Sequence, residues 1–361
     1  MRVAIDEQIF SLQPYGGISR MFASIARQFI LNPDLQVELL PLASPVINRY
    51  LLDDEIVRSR LAVWDAGHEY RSLLRYFLRV QPRRGLQVVH NTFYLPHGLA
   101  SYPGAKRVVT VHDMIPELMP RTRRRLDFLT LKKRYVRTAD HIICVSEATR
   151  RDMESVYGDL DAPVTVIHHG VDPHFSPDAL PVPGLPHDYL LFVGHRGQYK
   201  NSTVLLSAFV KVRAHLSGMK LVFVGGGPFT RAEVEQHQSL GISDDVLQIS
   251  LPDSLMPSVY AHAQAFVFPS TFEGFGIPAL EAMASGTPTI LAKASSLPEV
   301  GGNATLFFQP DSAEDLSEAI LTAILDQEKR KGLIASGVAR AAMFNWQKTA
   351  QATSNVYQSM L

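Results

Sequence analysis

Two glutamates, Glu273 and Glu281, lie eight positions apart in the sequence TFEGFGIPALEAM, which covers residues 271–283. Two glycines and a proline separate them, so the segment cannot form one continuous helix. One interpretation is an acidic loop that runs into a surface helix. The other is that both carboxylates bind a small molecule where the loop meets the helix.

The order of the residues predicts how this junction is built. A strand ends near Ser270, a loop follows, and a helix covers residues 278–285, with Gly286 just past its end. Glu273 then lies on the loop and Glu281 in the first helical turn. Free N–H groups at the helix start favour an anion, whereas carboxylates accept hydrogen bonds from hydroxyls. A nucleotide sugar, which carries phosphates and hydroxyl-rich rings, satisfies all of these groups.

Short apolar runs recur along the 361-residue chain and alternate with helix-length segments. Runs that are apolar throughout are typical of parallel strands buried on both faces, and the alternation predicts βαβ units. The runs in the first half are residues 2–6, 37–43, 88–92, 107–113, 141–147 and 164–170. Those in the second half are residues 189–194, 220–226, 246–251, 265–270, 288–292 and 306–310. Polar and glycine-rich residues follow many of these runs, at the strand ends where open parallel sheets bind ligands.

A segment with five prolines, residues 172–188, separates the two halves and predicts a stiff, extended linker. We therefore predict an α/β protein with two doubly wound, Rossmann-like domains that face each other across a cleft. The first domain covers residues 1–171. The second covers residues 189–344 and binds the nucleotide sugar.

Composition restricts the class of protein further. Basic and acidic residues are equal in number, 35 of each, so a nucleic-acid partner is not expected. The one cysteine, Cys144, lies in an apolar run and is expected to be a small buried side chain. The sequence shows neither a signal peptide nor an apolar stretch of about 18 to 20 residues, which predicts a cytoplasmic protein.

One window of the sequence is strongly basic. Residues 121–137 contain eight lysines and arginines against one acidic residue, Asp127. A solvated helix face is one interpretation. The other is attraction to anionic lipid or to a phosphorylated acceptor, which would bring the protein to the inner face of the cell membrane.

The segment EGFGIPALEAMASGTP resembles the E-x7-E signature of the retaining glycosyltransferases of family GT4, which have the GT-B fold. The resemblance runs nearly from end to end, and it is greatest to the bacterial mannosyl- or rhamnosyltransferases of lipopolysaccharide or exopolysaccharide assembly, with the mannosyltransferases preferred. Its further motifs are YGGISR, HNTFY, TVHDMIPE, VSEATRRD, HHGVD, VGHRGQYKN, FVGGGP, SSLPEVGGNA and the tail FNW. In this family the tail, residues 345–361 here, forms a helix that crosses back to the first domain.

The resemblance implies roles for the loop-to-helix junction. Glu281 matches the glutamate that binds the nucleotide ribose. Glu273 matches the catalytic glutamate beside the donor sugar, where it stabilises positive charge at the anomeric carbon. The backbone of Gly274, Phe275 and Gly276 would contact the sugar and the phosphates.

The resemblance also implies a phosphate site. Arg196 and Lys200 match a basic pair that neutralises the departing diphosphate, so that no metal and no other cofactor is expected. The spacing of four residues between them differs from the usual pattern. Gly16 and Gly17, where a helix starts near Ile18, would allow close approach of the diphosphate.

The remaining candidate residues lie in the first half. His112 matches a histidine that hydrogen-bonds the donor sugar. For the acceptor, the expected contacts come from Arg20, His90, Asn91, Tyr94 and Asp113.

The implied reaction moves a hexose, with GDP-mannose as the preferred donor, to a saccharide or polyprenyl-diphosphate-linked acceptor with retention of configuration. A UDP- or dTDP-sugar donor is the alternative within the same chemistry. A GT-B epimerase that acts on sugar nucleotides, a phosphorylase and a non-catalytic sensor are the rival classes. A phosphorylase would need a lysine that binds pyridoxal phosphate, for which the sequence offers no context.

Overall fold

The computed structural model describes residues 1–42, 46–63, 84–119 and 126–361 of the chain. It divides into two compact units. The first unit comprises Met1–Gly170 together with Trp346–Leu361, and the second comprises Val171–Asn345.

The described part of the first unit contains one six-stranded parallel sheet in the order β2-β1-β3-β4-β5-β6. Its strands are β1 (Arg2–Ile5), β2 (Glu38–Leu39), β3 (Val88–Asn91), β4 (Lys106–Val111), β5 (His141–Cys144) and β6 (Val164–Val166). The sheet reverses its direction of growth between β1 and β3, which makes this point its topological switch point.

Helices surround this sheet. They are α1 (Gln8–Leu12), α2 (Gly17–Leu31), α3 (Arg49–Leu52), α4 (Glu55–Arg60), α5 (Ile115–Leu118), α6 (Leu126–Arg137), α7 (Glu147–Tyr157) and the C-terminal α15 (Trp346–Ser359). Helix α2 buries Met21, Phe22, Ile25 and Phe29 on one face, and α15 adds Trp346 and Tyr357 to the same core.

The second unit, Val171–Asn345, contains a six-stranded parallel sheet in the order β12-β11-β10-β7-β8-β9. Its strands are β7 (Tyr189–Val193), β8 (Lys220–Val224), β9 (Val246–Ile249), β10 (Ala265–Phe268), β11 (Thr289–Ala292) and β12 (Leu306–Phe308). Its helices are α8 (Ser202–His215), α9 (Arg231–Ser239), α10 (Met256–Ala261), α11 (Ile277–Ala284), α12 (Leu297–Gly301), α13 (Ala313–Leu325) and α14 (Gln327–Ala341). This strand order is that of the Rossmann fold, with the switch point between β7 and β10.

The twelve apolar runs all form strands, as the sequence predicts. The largest difference is β2, which pairs only at Glu38 and Leu39, although the predicted run covers residues 37–43. Pro41 lacks an N–H and cannot extend the ladder.

The predicted linker, residues 172–188, differs from an extended chain. It belongs to the second unit, where Phe175 is 5% exposed and its ring lies 5.8 Å from that of Tyr260. The imidazole Nε2 of His262 also lies 2.9 Å from the backbone oxygen of Ala179. This segment therefore packs against α10 and its C-terminal end.

Candidate functional site

Two loops meet at the switch point of the second sheet. One follows β7 and leads to Lys200, and the other follows β10 and leads to Glu273. Both the backbone N–H and the hydroxyl of Thr271 donate to the carbonyl oxygen of Tyr199, at 2.8 and 3.1 Å. These bonds fix the two loops to each other, so the strand order itself brings their side chains together.

Lys200 and Glu273 form a close ion pair. The Lys200 Nζ lies 2.5 Å from Glu273 Oε1, and the two side chains are 11% and 12% exposed. The ammonium group also lies 5.0 Å from the centre of the Phe268 ring. A largely buried pair at the carboxyl ends of parallel strands is suited to interactions with a charged ligand.

The loop that carries Glu273 is held by two serines that the sequence analysis did not single out. Ser295 Oγ and Ser296 Oγ donate to the backbone oxygen of Glu273, at 2.7 and 3.0 Å. Ser296 also donates to the oxygen of Phe275, at 2.8 Å. The motif SSLPEVGGNA contains both serines, but the sequence gives no sign that they position Glu273.

Helix α11 begins one residue earlier than predicted, at Ile277, and ends at Ala284. Gly276 precedes it with φ of +111°, and Gly286 follows it with φ of +72°, as expected for glycine past a helix end. Glu281 is the fifth residue of this helix, so its predicted place in the first turn is wrong.

Glu281 is 5% exposed, and its Oε2 accepts a hydrogen bond from the hydroxyl of Tyr260 at 2.8 Å. Tyr260 belongs to α10, which thereby fixes the carboxylate. The ribose-binding role of Glu281 stays a prediction.

Arg196 does not share a partner with Lys200. Its Nε lies 2.5 Å from Glu233 Oε1, and its Nη1 donates to the oxygen of Gly225 at 3.1 Å. The predicted basic pair is therefore divided between two separate ion pairs. In the sequence, Arg196 and Lys200 are four residues apart, which differs from the family pattern and was the signal of this arrangement.

His195 is a further group near the Lys200–Glu273 pair. Its Nε2 lies 2.9 Å from the hydroxyl of Tyr199, and its Nδ1 accepts from the N–H of Gly197 at 3.2 Å. Burial and then the charge of Lys200 lower the pKa of His195, whereas Glu273 raises it. The imidazole is therefore favoured in its neutral form beside Lys200.

His112 lies at the end of β4 in the first unit and is 9% exposed. Neither ring nitrogen has a hydrogen-bond partner among the described residues. Its ring meets Phe22 edge-on at 5.8 Å and stacks on His169 at 6.3 Å. Burial, followed by the charges of His169, His90 and Lys132, lowers the pKa of His112 far below its usual value.

A cavity of about 90 Å³ adjoins His112. Two other predicted residues, Tyr94 and Asp113, also line it, together with Gln13, Ile18, Phe93, Pro116, Phe128 and Lys132. The buried Oε1 of Gln13 has no hydrogen-bond partner among the described residues. His112 and Gln13 thus offer unsatisfied polar atoms at one small cavity.

The predicted acceptor role of His90 and Asn91 stays a prediction, and both side chains are hydrogen-bonded inside the first unit. His90 Nδ1 lies 2.7 Å from the hydroxyl of Tyr357, and its Nε2 lies 2.7 Å from that of Thr110. Burial lowers the pKa of His90 to about 3. Asn91 donates to Asp6 at 2.6 Å and accepts from Arg107 at 2.6 Å.

The other predicted residues of the first unit are mostly packed. The guanidinium of Arg20 lies 5.0 Å from the centre of the Tyr50 ring, and the residue is 8% exposed. The Tyr94 hydroxyl donates to the backbone oxygen of Thr110 at 2.8 Å. Gly16 and Gly17 lie where α2 begins, as predicted, and a Cβ on Gly16 would collide with the Gln13 carboxamide.

One residue of the basic window 121–137, Lys132, is buried inside the first unit. Lys132 pairs with Glu117 at 3.0 Å, and the two side chains are 3% and 6% exposed. Lys132 Nζ also donates to the backbone oxygen of Asp113 at 2.6 Å. Lys133 and Arg134 are exposed, whereas the predicted arginines 121, 123, 124 and 125 lie outside the described residues. Lys132 therefore cannot belong to a solvated or lipid-binding face.

Within residues 1–42, 46–63, 84–119 and 126–361, no cluster of three or more histidine, cysteine, aspartate or glutamate side chains could hold a metal ion. No helix in the same ranges is long and apolar enough to cross a membrane.

Comparisons with known families agree with this architecture. Residues 15–175 match the model of Glycosyltransferase Family 4, and residues 184–339 match that of Glycosyl transferases group 1. The two matches together cover most of both units. The chain belongs to the GT4 glycosyltransferases, and its two Rossmann-like units are those of the GT-B fold.

Mannosyltransferases are among its curated relatives. The chain is 29% identical over 282 residues to O-antigen chain mannosyltransferase B of Escherichia coli, covering 74% of this chain and 72% of that protein. It is 28% identical over 396 residues to an MMP alpha-(1->4)-mannosyltransferase of Mycolicibacterium hassiacum, covering 99% and 90%.

Solved structures show the same fold. Anabaena HepE, crystallised with UDP and glucose, superposes with a TM-score of 0.76 at 16% identity and covers 99% of this chain and 100% of its own. Identity at this level supports the fold and not the substrate.

Proposed function

We propose that this protein is a retaining hexosyltransferase that moves mannose from GDP-mannose to a saccharide or polyprenyl-diphosphate-linked acceptor in cell-surface polysaccharide assembly. Family membership supports the transfer chemistry. The names of the two mannosyltransferase relatives, one of them specific to an O-antigen chain, support the sugar and the pathway. A UDP- or dTDP-sugar is the alternative donor.

The Lys200–Glu273 pair at the switch point of the second sheet is the observation that carries this proposal. When the bond between the anomeric carbon and the diphosphate breaks, negative charge grows on the diphosphate and positive charge on the sugar. Lys200 is the cation that stabilises the negative charge on the diphosphate, and Glu273 is the carboxylate that stabilises the positive charge on the sugar. Donor binding would separate the pair and engage each partner with its own charge.

The reaction needs one bond exchange and one proton transfer. The bond from the anomeric carbon to the phosphate oxygen breaks, and a bond to the acceptor oxygen forms on the same face. The departing phosphate oxygen takes the acceptor proton. Because Lys200 supplies the positive charge, we propose that no metal and no other cofactor takes part.

His112 is retained as a candidate ligand of the donor sugar. Its neutral ring has one N–H donor and one acceptor nitrogen, and neither is used within the described residues. Such a ring can donate to one sugar hydroxyl and accept from another.

A panel of GDP-mannose, UDP-glucose, dTDP-rhamnose and ADP-glucose tests the donor. We expect GDP-mannose to raise the melting temperature most, since binding to the folded form stabilises it. Transfer to a lipid-linked saccharide in EDTA should give an α-anomeric product by NMR. An inverted product, a strict metal requirement or preference for another donor would contradict the respective part of the proposal.

The same assay without acceptor tests the epimerase alternative, because an epimerase converts the donor sugar when no acceptor is present.

Peripheral contact with an anionic membrane is a further part of the proposal, and it rests on the exposed Lys133 and Arg134 of α6. Flotation with liposomes should show more binding to vesicles with anionic lipid. Equal binding to neutral vesicles would contradict it.

A further inference from the structure

The side chain of Arg196 lies beneath the glycine-rich loop, residues 225–228, that follows β8. Its side chain is 6% exposed. Besides Gly225, its guanidinium donates to the backbone oxygens of Gly227 and Pro228, at 3.0 and 3.1 Å. One side chain thus binds three carbonyl oxygens of the loop backbone.

Three of the four residues in this loop are glycines, which have no side chains to hold its shape. Gly225, Gly226 and Gly227 have φ of +87°, +72° and +71°. A Cβ on Gly226 would lie 2.8 Å from Arg196 Nη1, so the guanidinium fills the space directly against the loop. Three consecutive left-handed glycines are conformationally free in isolation, and the bonds from Arg196 restrict them.

Glu233 holds Arg196 in this place. It is also the third residue of α9, where its carboxylate accepts from the N–H of Thr230 at 2.7 Å in a capping box. Burial alone would raise the pKa of Glu233, but hydrogen bonds from Arg196 and Thr230 lower it to about 2. The carboxylate therefore stays ionised and neutralises Arg196.

We propose that Arg196 is a positioning residue that, with Glu233, holds the glycine-rich loop for the donor diphosphate, while Lys200 supplies the charge for the leaving group. This inference rests on the proposed function. A guanidinium committed to Glu233 and to three carbonyl oxygens would have to leave all of them to reach the substrate. Lys200 has one carboxylate partner, on the loop where the reaction takes place.

The two roles differ in their kinetic signature. Loss of a positioning residue weakens donor binding, whereas loss of a leaving-group cation slows turnover. Replacing Glu233 distinguishes the two roles further. If Arg196 positions the loop, Glu233 supports that role. If Arg196 acted on the substrate as a cation, Glu233 would compete with the substrate for it.

The experiment measures kcat and donor KM for Arg196→Met, Glu233→Gln, the double variant and Lys200→Met. We expect the first two to raise donor KM about tenfold, with the double variant no worse than either, and kcat to stay within about threefold. Arg231→Met is the matched control, since Arg231 is 93% exposed and pairs with Glu235 on the same helix. It should match wild type.

Hydrogen exchange of residues 225–229 provides a readout that is independent of activity. Exchange should increase in Arg196→Met and Glu233→Gln but not in Arg231→Met. A kcat about a hundredfold lower in Arg196→Met with wild-type behaviour of Glu233→Gln would overturn the inference. Faster exchange in a protein that transfers no sugar would instead uphold the loop contact and refute the proposed function.

Discussion

Lys200 Nζ and Glu273 Oε1 lie 2.5 Å apart although 73 positions of sequence separate the two residues. Lys200 follows β7 and Glu273 follows β10, which are hydrogen-bonded neighbours in the sheet. In a Rossmann-type sheet this neighbourhood arises only at the switch point. The pair is therefore a product of strand order.

Replacing either member of this pair should abolish most of the activity. We expect Lys200→Met and Glu273→Gln each to lower kcat about 10²–10³-fold, because each removes a charge that acts on the transition state. Each single change should also destabilise the protein, by up to about 3–5 kcal/mol, because it leaves a largely buried charge unpaired.

The double variant Lys200→Met/Glu273→Gln separates the two effects. It should recover much of the lost stability in thermal unfolding while remaining inactive. Recovery of activity together with stability would show that the pair is structural.

Ser296→Ala should lower activity through the backbone that carries Glu273. The change removes two hydrogen bonds, to the oxygens of Glu273 and Phe275. We expect a loss of about 1–3 kcal/mol in stability and a measurable fall in kcat, because the Phe275 oxygen loses its bond from Ser296 and the Glu273 oxygen keeps only the bond from Ser295. Ser336→Ala is the control, because Ser336 donates within its own helix at 2.7 Å to Gly332 and is remote in sequence from this loop. Equal kcat in both variants would contradict the prediction.

The buried Lys132–Glu117 pair predicts a large stability effect in the first unit. Lys132→Met should lower the free energy of unfolding by about 3–5 kcal/mol, because Glu117 would remain buried without its cation. Lys133→Met, one residue further along and exposed, should change it by less than about 0.5 kcal/mol. Urea titrations followed by the fluorescence of the two tryptophans, Trp64 and Trp346, measure both, and similar values for the two variants would count against the pairing.

Three buried histidines predict how the stability of the first unit depends on pH. Burial lowers the pKa of both His90 and His169 to about 3, and that of His112 shifts in the same direction. In the unfolded chain each would bind a proton near pH 6.5, so below that value the unfolded state holds more protons. As the pH decreases below about 6.5, the free energy of unfolding should therefore fall by about 1.4 kcal/mol per pH unit for each histidine. Above about pH 6.5 these three groups should not affect it.

Urea titrations at several values between pH 5 and pH 7.5, again followed by tryptophan fluorescence, test this slope. His90→Gln should reduce the slope by one proton. A flat profile in the wild-type protein across this range would show that these histidines are not held neutral.

The strands were predictable because those inside each parallel sheet are mostly buried and apolar, whereas edge strands such as β2 and β6 are only partly buried. Contacts between distant segments were not predictable in the same way. His90 lies on a strand that ends in polar residues, as a site residue would, but its partner Tyr357 is 267 positions away. Arg196, on the loop after β7, likewise pairs with Glu233 on α9. In the sequence Lys132 resembles its exposed basic neighbours, although its side chain is buried against Glu117 and the backbone of Asp113.

The return of α15 to the first unit has a consequence for biosynthesis. Tyr357 and Trp346 complete the core around His90 and Phe22, and Ser354 donates to the backbone oxygen of Leu35 at 2.8 Å. Residues 171–345 are translated before any of these groups leaves the ribosome. The first unit therefore keeps an uncovered hydrophobic surface until the second unit and then α15 have been synthesised. This delay gives chaperones a defined interval in which to act on the nascent chain.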